Sequence, residues 1–413
     1  MKKYVNKILH LKVKEIIYLI ILFLMVFYSF GVNYLSKYFS YLDDIFTVGF
    51  IFWAIIKSHN NKKLNKYEKS MMLLNFVLLC IGLIGNIISG YQTDYKSIIV
   101  DIVSCLKWFG IYLAGLVIFK DKYGDRYYKI ADSFVKFILI IMLIIFLCNQ
   151  IFHLGLGREY ARYGLPIYTL GGHPSYAASV ASVCLSILLI NYSKNKKWIC
   201  LAFVLVLFTL RMKAIAYACV IILFIILKKF NKKFSIKMLI VAGLVSVILA
   251  RSYITNYFFT SDASRSMALQ GALKLARTFL PIGSGFATFG SAASTISYSK
   301  AYEVVGLSSR YGFRIDASSF VGDGGWATQI GQFGILGVIL IFVMLGLMFT
   351  SVKYRIGHKE NNWLPYTSVF VYMLICSTSE VAFASNYAVL FAIALVIIIK
   401  KGQTENEIRK KEK

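Results

Sequence analysis

The residues best suited to chemistry are a few cations and carboxylates standing at the ends of long apolar runs. Arg211 and Lys213 are separated only by Met212, in TLRMKA, between two short apolar runs. A short interrupted hairpin of this kind points to a binding site in a membrane protein. Arginine makes paired hydrogen bonds to phosphate oxygens, so an anionic headgroup suits the pair. The competing reading is a snorkelling anchor for the hairpin. Arg265, Lys274 and Arg277 share one helix-like stretch. Arg265 and Arg277 are twelve residues apart, about 18 Å along a helix axis, so one ligand group cannot touch both. Asp323 sits among glycines in VGDGGWATQIGQFGILG, at the entrance to an apolar run. It is either a helix N-cap or a general base placed to take a proton from a hydroxyl. His173, in LGGHPSYAAS, is a second candidate, although a lone histidine is more often a satisfied polar residue. Arg158, Arg162 and Arg314 are further cations in the two longest connections.

The chain has no nucleotide-binding loop, no cluster with metal-ligand spacing and no nucleophile elbow. Those gaps argue against an ATP-driven pump and a metal enzyme, so neither cofactor nor metal is expected. Each of the seven cysteines lies in an apolar run and reads as a small packing residue. Asp43 and Asp44 open one apolar run, and Asp101 and Lys107 lie inside another. Charges within spans pair or line a cavity. Asp101 and Lys107 are six apart, on different faces of one helix, so each needs a partner from another element.

The elements that must carry these residues are membrane helices. Charged residues make up 16% of the 413 residues, against about 25% in soluble proteins, and mean hydropathy is +0.67. A span takes about 20 apolar residues. Such runs lie near 15–35, 43–57, 70–90, 97–118, 133–152, 175–192, 198–210, 214–227, 238–256, 327–350, 364–382 and 385–399. The first is too long for a cleaved signal and has no small-residue cleavage site. The expectation is an all-α polytopic protein of about twelve transmembrane helices forming a single domain over 1–413. A net charge of +27 would suggest nucleic acid on a soluble protein. Here the basic residues sit between apolar runs, so membrane lipid is the expected partner and nucleic acid is not. With both termini cytoplasmic, the inside segments hold 31 Lys and Arg and the outside segments 13. That alternation follows the positive-inside rule.

Two outside segments are long, 153–174 and 257–326, and long loops are where function concentrates. Within the second, SRSMALQGALKLARTFL spaces Met267, Leu269, Leu273, Ala276 and Leu280 along one side of a helix, expected to lie on the membrane surface between spans nine and ten. PIGSGFATFGS then supplies a glycine-rich turn.

Three stretches carry a resemblance. TLRMKAIAYA, then SRSMALQGALKLARTFLPIGSGFATFG, then DGGWATQIGQFGILG occur in the order found in the Wzy-type polymerases of O-antigen and capsular polysaccharide repeat units and in the related O-antigen ligases, both GT-C-like glycosyltransferases. GGHPSYAA is similar to a His-Pro segment of the polymerases. The resemblance is clearest over roughly 155–345. Counting back from Gly334, Asp323 stands where the ligases carry a catalytic histidine, a departure that favours a polymerase. The resemblance implies a bacterial cytoplasmic-membrane enzyme acting at the outer face on glycans carried by undecaprenyl diphosphate, with a repeat-unit flippase and a chain-length regulator as partners. Arg211 and Arg265 would hold and stabilise the departing diphosphate, and Asp323, or else His173, would take the acceptor proton. Lys213, Arg277, Arg314, Arg158 and Arg162 would bind substrate. Tyr298, Tyr302, Tyr311, Phe313 and Trp326 could stack on sugars, or anchor at the interface. The alternatives are a ligase moving a finished glycan and a lipid-linked oligosaccharide flippase.

Overall fold

The fold is that of a computed structural model, described over residues 20, 22–35, 37–58, 64–152, 161–162, 165–166, 173–230, 255, 263–357 and 363–411. Apart from Thr255, the expected ninth span, 238–256, lies outside the described residues, as do the start of the first span and the opening of the large loop. The longer helices are α1 (Leu42–Ser58), α2 (Lys66–Ser89), α3 (Tyr95–Ile118), α4 (Gly124–Phe152), α5 (Pro174–Leu188), α6 (Tyr192–Phe208), α7 (Met212–Lys229), α8 (Ser264–Thr278), α9 (Gly325–Ile356), α10 (Trp363–Ser377) and α11 (Asn386–Lys411). A pairing of two-residue strands, Ala161–Arg162 with Leu165–Pro166, is the one sheet among the described residues. Among the described residues, seven helices are long and apolar enough to cross a membrane, counting Pro174–Phe208 as one run. That run turns at Leu189–Asn191, where Asn195 Nδ2 reaches back to the Leu188 carbonyl. Large apolar side chains such as Phe52, Leu73, Phe76, Ile144 and Phe342 face outward. Such a surface needs lipid around it.

Among the described residues, the basic borders of α2, α4, α9 and α11 meet at one end of the bundle. There Glu68, which closes a capping box at the start of α2, also accepts from Ser351 Oγ at 2.6 Å and Arg355 Nη2 at 2.7 Å. Lys400 meets Asp121 and Lys401 meets Asp125, each at 2.5 Å. The opposite end carries Arg211, Lys213, Arg265 and Asp323, together with a folded loop.

This second end is recessed. Lys107 lies twelve residues into α3, yet its ammonium bonds Asp43, the second residue of α1, at 2.6 Å, and Asp44 at 2.8 Å. α1 therefore starts about 18 Å below the Tyr95 tip of α3. The turn between α10 and α11 lies at the same depth, since the Phe383 ring sits 6.2 Å from that of Trp108.

α9 is not straight. The rings of Trp326 and Phe342 stack at 4.7 Å and 7°, although sixteen residues of helix would hold them about 24 Å apart. The fold-back is at Gly334, with φ 60° and ψ −163°, a region essentially closed to side-chain-bearing residues. The carbonyls freed by the break are taken by the glycine-rich turn. Ser284 N–H donates to Gly331 O at 3.0 Å and Gly285 N–H to Gln332 O at 2.8 Å, while Leu336 N–H donates to Pro281 O at 3.1 Å. Two buried side chains pin the turn from α2 and α3. Asn86 bonds both backbone groups of Phe286, at 2.7 and 2.8 Å, and Asp101 Oδ2 accepts from Ala287 N–H at 2.5 Å and Gln332 Nε2 at 2.8 Å.

Several expectations are corrected here. α8 packs against the first half of α9 and the loop core, burying Ala268, Gly271, Ala272 and Leu275, with Gly271 facing Phe289, Val305 and Leu307, while Leu273 and Leu280 of the expected apolar side face outward. Small residues win because they let the helices approach closely. Tyr302 and Phe313 form a small second core with Phe289 and Leu275, so their faces are closed to sugars. Tyr298 is half-buried and donates to the Phe313 carbonyl at 2.6 Å, and among the described loop tyrosines only Tyr311 is widely exposed. α10 ends at Ser377, five residues before the expected end of the 364–382 span. A half-helix, Gly325 to Phe333, stands between Asp323 and the membrane-spanning part of α9.

Candidate functional site

The hairpin between α6 and α7 turns within three residues. Thr209 Oγ1 bonds back to Val206 O at 2.7 Å, and Leu210 takes φ 48°. A left-handed leucine is strained by about 1–2 kcal/mol. Such strain persists where the surroundings impose it, and here it aims the next residue, Arg211, across the bundle end. Arg211 Nη2 lies 2.9 Å from His173 Nε2. His173 also caps α5, with Nδ1 3.3 Å from the Ser175 N–H. A neutral imidazole has one acceptor nitrogen, so only one of these contacts is a hydrogen bond in either tautomer.

Lys213 lies in the first turn of α7, the end a cation least favours. Glu380 offsets this, its Oε1 2.5 Å from Lys213 Nζ. The Tyr387 hydroxyl donates to the same carboxylate oxygen. Arg265 donates from Nε to the backbone carbonyl of Asp323 at 3.2 Å. This contact ties α8 to the turn before α9 and sets the guanidinium beside the Asp323 carboxyl.

The two carboxyls differ in state. Burial pushes the Asp323 carboxyl above the ordinary aspartate range, against the pull of Arg265, Lys213 and Arg211, with Glu380 adding to the rise. Burial acts the same way on Glu380, but Lys213 and Tyr387 outweigh it and hold that carboxyl below the usual glutamate range.

The structure thus brings together Arg211, Lys213, Arg265, Asp323 and His173, five residues drawn from four separate stretches of sequence. It leaves others out. Arg277 is exposed in the last turn of α8, at the far end from Arg265. Arg314 bonds its neighbour Asp316, Nε to Oδ1 at 2.9 Å, in an exposed turn. Arg158 lies outside the described residues, and Arg162 is described only by its place in the short strand pair. Glu380 and Tyr387 were missed, because TSE at 378–380 falls inside the 364–382 run. The signal was available as a single carboxylate in a polar stretch between two apolar runs.

Neither family models nor curated protein sequences give a match to this chain.

Proposed function

We propose that the chain is a metal-independent glycosyltransferase that polymerises oligosaccharide repeat units carried on undecaprenyl diphosphate, for capsule, O-antigen or exopolysaccharide. The reading places it in a bacterial cytoplasmic membrane, crossing about twelve times with both termini inside and the recessed end outside. The observation that carries it is the convergence of three cations on one carboxyl group disposed to hold a proton. Arg211 and Arg265 suit the two phosphates of a lipid diphosphate. They also neutralise the charge that grows on the leaving oxygen, which a fixed, partly desolvated cation does better than water. Asp323 accepts the proton of the acceptor sugar hydroxyl. The hydroxyl oxygen bonds the anomeric carbon of the growing chain, the bond from that carbon to the phosphate oxygen breaks, and undecaprenyl diphosphate leaves with the electron pair. Attack opposite the leaving group inverts the anomeric centre. The repeat-unit flippase acts before this step, and a chain-length regulator acts alongside it.

One observation favours a second reading, a flippase. Broken helices such as α9 mark substrate paths in transporters. At Gly334, however, the freed carbonyls are bonded to Ser284 and Gly285 rather than turned to a cavity. The variants Arg211→Ala and Arg265→Ala separate the two: in the polymerase they leave single lipid-linked repeats exposed on the outer leaflet. Repeats retained on the cytoplasmic leaflet sink the polymerase reading. A ligase uses the same donor chemistry and is distinguished by its product, a single transfer to an acceptor not linked to the lipid.

A further inference from the structure

The turn from Ser377 to Glu380 is locked against the residues that follow Asp323. A Cβ placed on Gly325 would lie 2.2 Å from the Glu380 carbonyl oxygen and 2.5 Å from that of Ser377. Neither backbone atom can yield, so position 325 must lack a side chain for this turn to dock two residues from Asp323. The Glu380 carboxylate is fixed from two more directions, by Lys213 Nζ at 2.5 Å and by the Tyr387 hydroxyl at the start of α11. Both bonds fall on Oε1, and with the charge of Lys213 they hold the carboxylate ionised although it is three-quarters covered.

We propose that Glu380, paired with Lys213, is a positioning residue for the proton transfer at Asp323. The inference rests on the reading of Asp323 as the base. Among the described residues, the charged groups that act on the Asp323 carboxyl are Arg265 from α8, Arg211 and Lys213 from the start of α7, and Glu380 from the turn before α11. His173, from the start of α5, acts on Glu380. Burial and Glu380 favour the protonated carboxyl, and the three cations favour the ionised one. Two neighbouring carboxyls pushed in opposite directions divide the work. Glu380 stays ionised and supplies a fixed negative field, while Asp323 exchanges the proton. Lys213 is accordingly the counter-ion that sets the strength of this field, before it is a ligand for substrate.

The test is the pH dependence of polymerisation by the purified protein with lipid-linked repeat units. Glu380→Gln removes a charge that favours the protonated base, so the acid limb moves to lower pH. Lys213→Met bares Glu380, so the limb moves to higher pH. Each shift is on the order of one pH unit, the size expected of one nearby charge across a partly buried site, and the double variant returns towards the wild type. Glu380→Asp keeps the charge but loosens the Tyr387 and Lys213 contacts, so the rate falls with the limb in place. A purely structural pair would lower the rate of all four at an unmoved limb, and that result overturns the proposal. Folded Glu380→Gln protein that is inactive at every pH overturns it too. Absence of product from the wild type is a different outcome and removes the polymerase reading itself.

Discussion

Gly334 is where a single methyl group should do most damage, and the size of the effect follows from its surroundings. An alanine there must take φ 60° and ψ −163°, which costs about 1–3 kcal/mol. Its Cβ would also lie 2.5 Å from the Pro281 carbonyl oxygen and 2.6 Å from the Gly283 nitrogen. Relieving these contacts means parting the glycine-rich turn from α9. Three backbone hydrogen bonds join them, those of Ser284, Gly285 and Leu336, each contributing about 1 kcal/mol. The total loss is about 4–6 kcal/mol. Gly346, in the same helix, is the control, because a Cβ there meets nothing within 4 Å. Gly346→Ala should be neutral or stabilising by up to about 1 kcal/mol. Chemical unfolding of both variants in one detergent, followed by tryptophan fluorescence, gives the comparison. Trp326 adds a local probe, since its stack on Phe342 exists only if the helix folds back. Equal stability of the two variants would refute the folded-back α9, and with it the placement of Asp323.

Other perturbations have equally definite outcomes. Lys107→Met strands two carboxylates, Asp43 at 3% side-chain exposure among them, and should destabilise by about 3–5 kcal/mol; adding Asp43→Asn should recover part of the loss in the same unfolding assay. Asp323→Asn should abolish product yet raise stability at neutral pH. The raised Asp323 carboxyl stabilises the fold when protonated, fully below the ordinary aspartate range, and that contribution is lost as pH rises through its folded value. Asparagine mimics the protonated form, so the gain should vanish in acid, and unfolding at two pH values reads it. Met212→Cys should react with an impermeant thiol reagent in intact cells or spheroplasts, and lack of reaction would move Arg211 off the outer face.

The sequence made some of this plain and hid the rest, for physical reasons. Runs of apolar residues and their basic borders are local properties, so α1, α2, α3 and α7 begin and end near the expected limits, while α4 ends where expected but begins nine residues early, at Gly124. Arg211, Lys213, Arg265 and Asp323 stood out because charge at the end of an apolar run is conspicuous. Their meeting depends on packing, which no local pattern encodes. The break at Gly334 was invisible, since FGILG reads as continuous span and the glycine-rich turn that makes the break affordable lies about fifty residues earlier. Glu380 was hidden for the same kind of reason, its partner Lys213 standing more than 160 residues away. Tyr302 and Phe313 were misjudged because a second core outside the membrane bundle leaves no periodic trace in a loop without long helices. Lys107 was recognised as needing a partner, but only the depth at which α1 begins makes Asp43 and Asp44 that partner.

The central claim is glycosyl transfer from a lipid diphosphate with Asp323 as base and Arg211 and Arg265 on the phosphates. The most direct measurement is a cell-free reaction of purified protein with purified undecaprenyl-diphosphate-linked repeat units, its products resolved by size. The account predicts a ladder of chains differing by one repeat, lost in Asp323→Asn, Arg211→Ala and Arg265→Ala. Unchanged single repeats with the wild-type protein, or an intact ladder with Asp323→Asn, would contradict it.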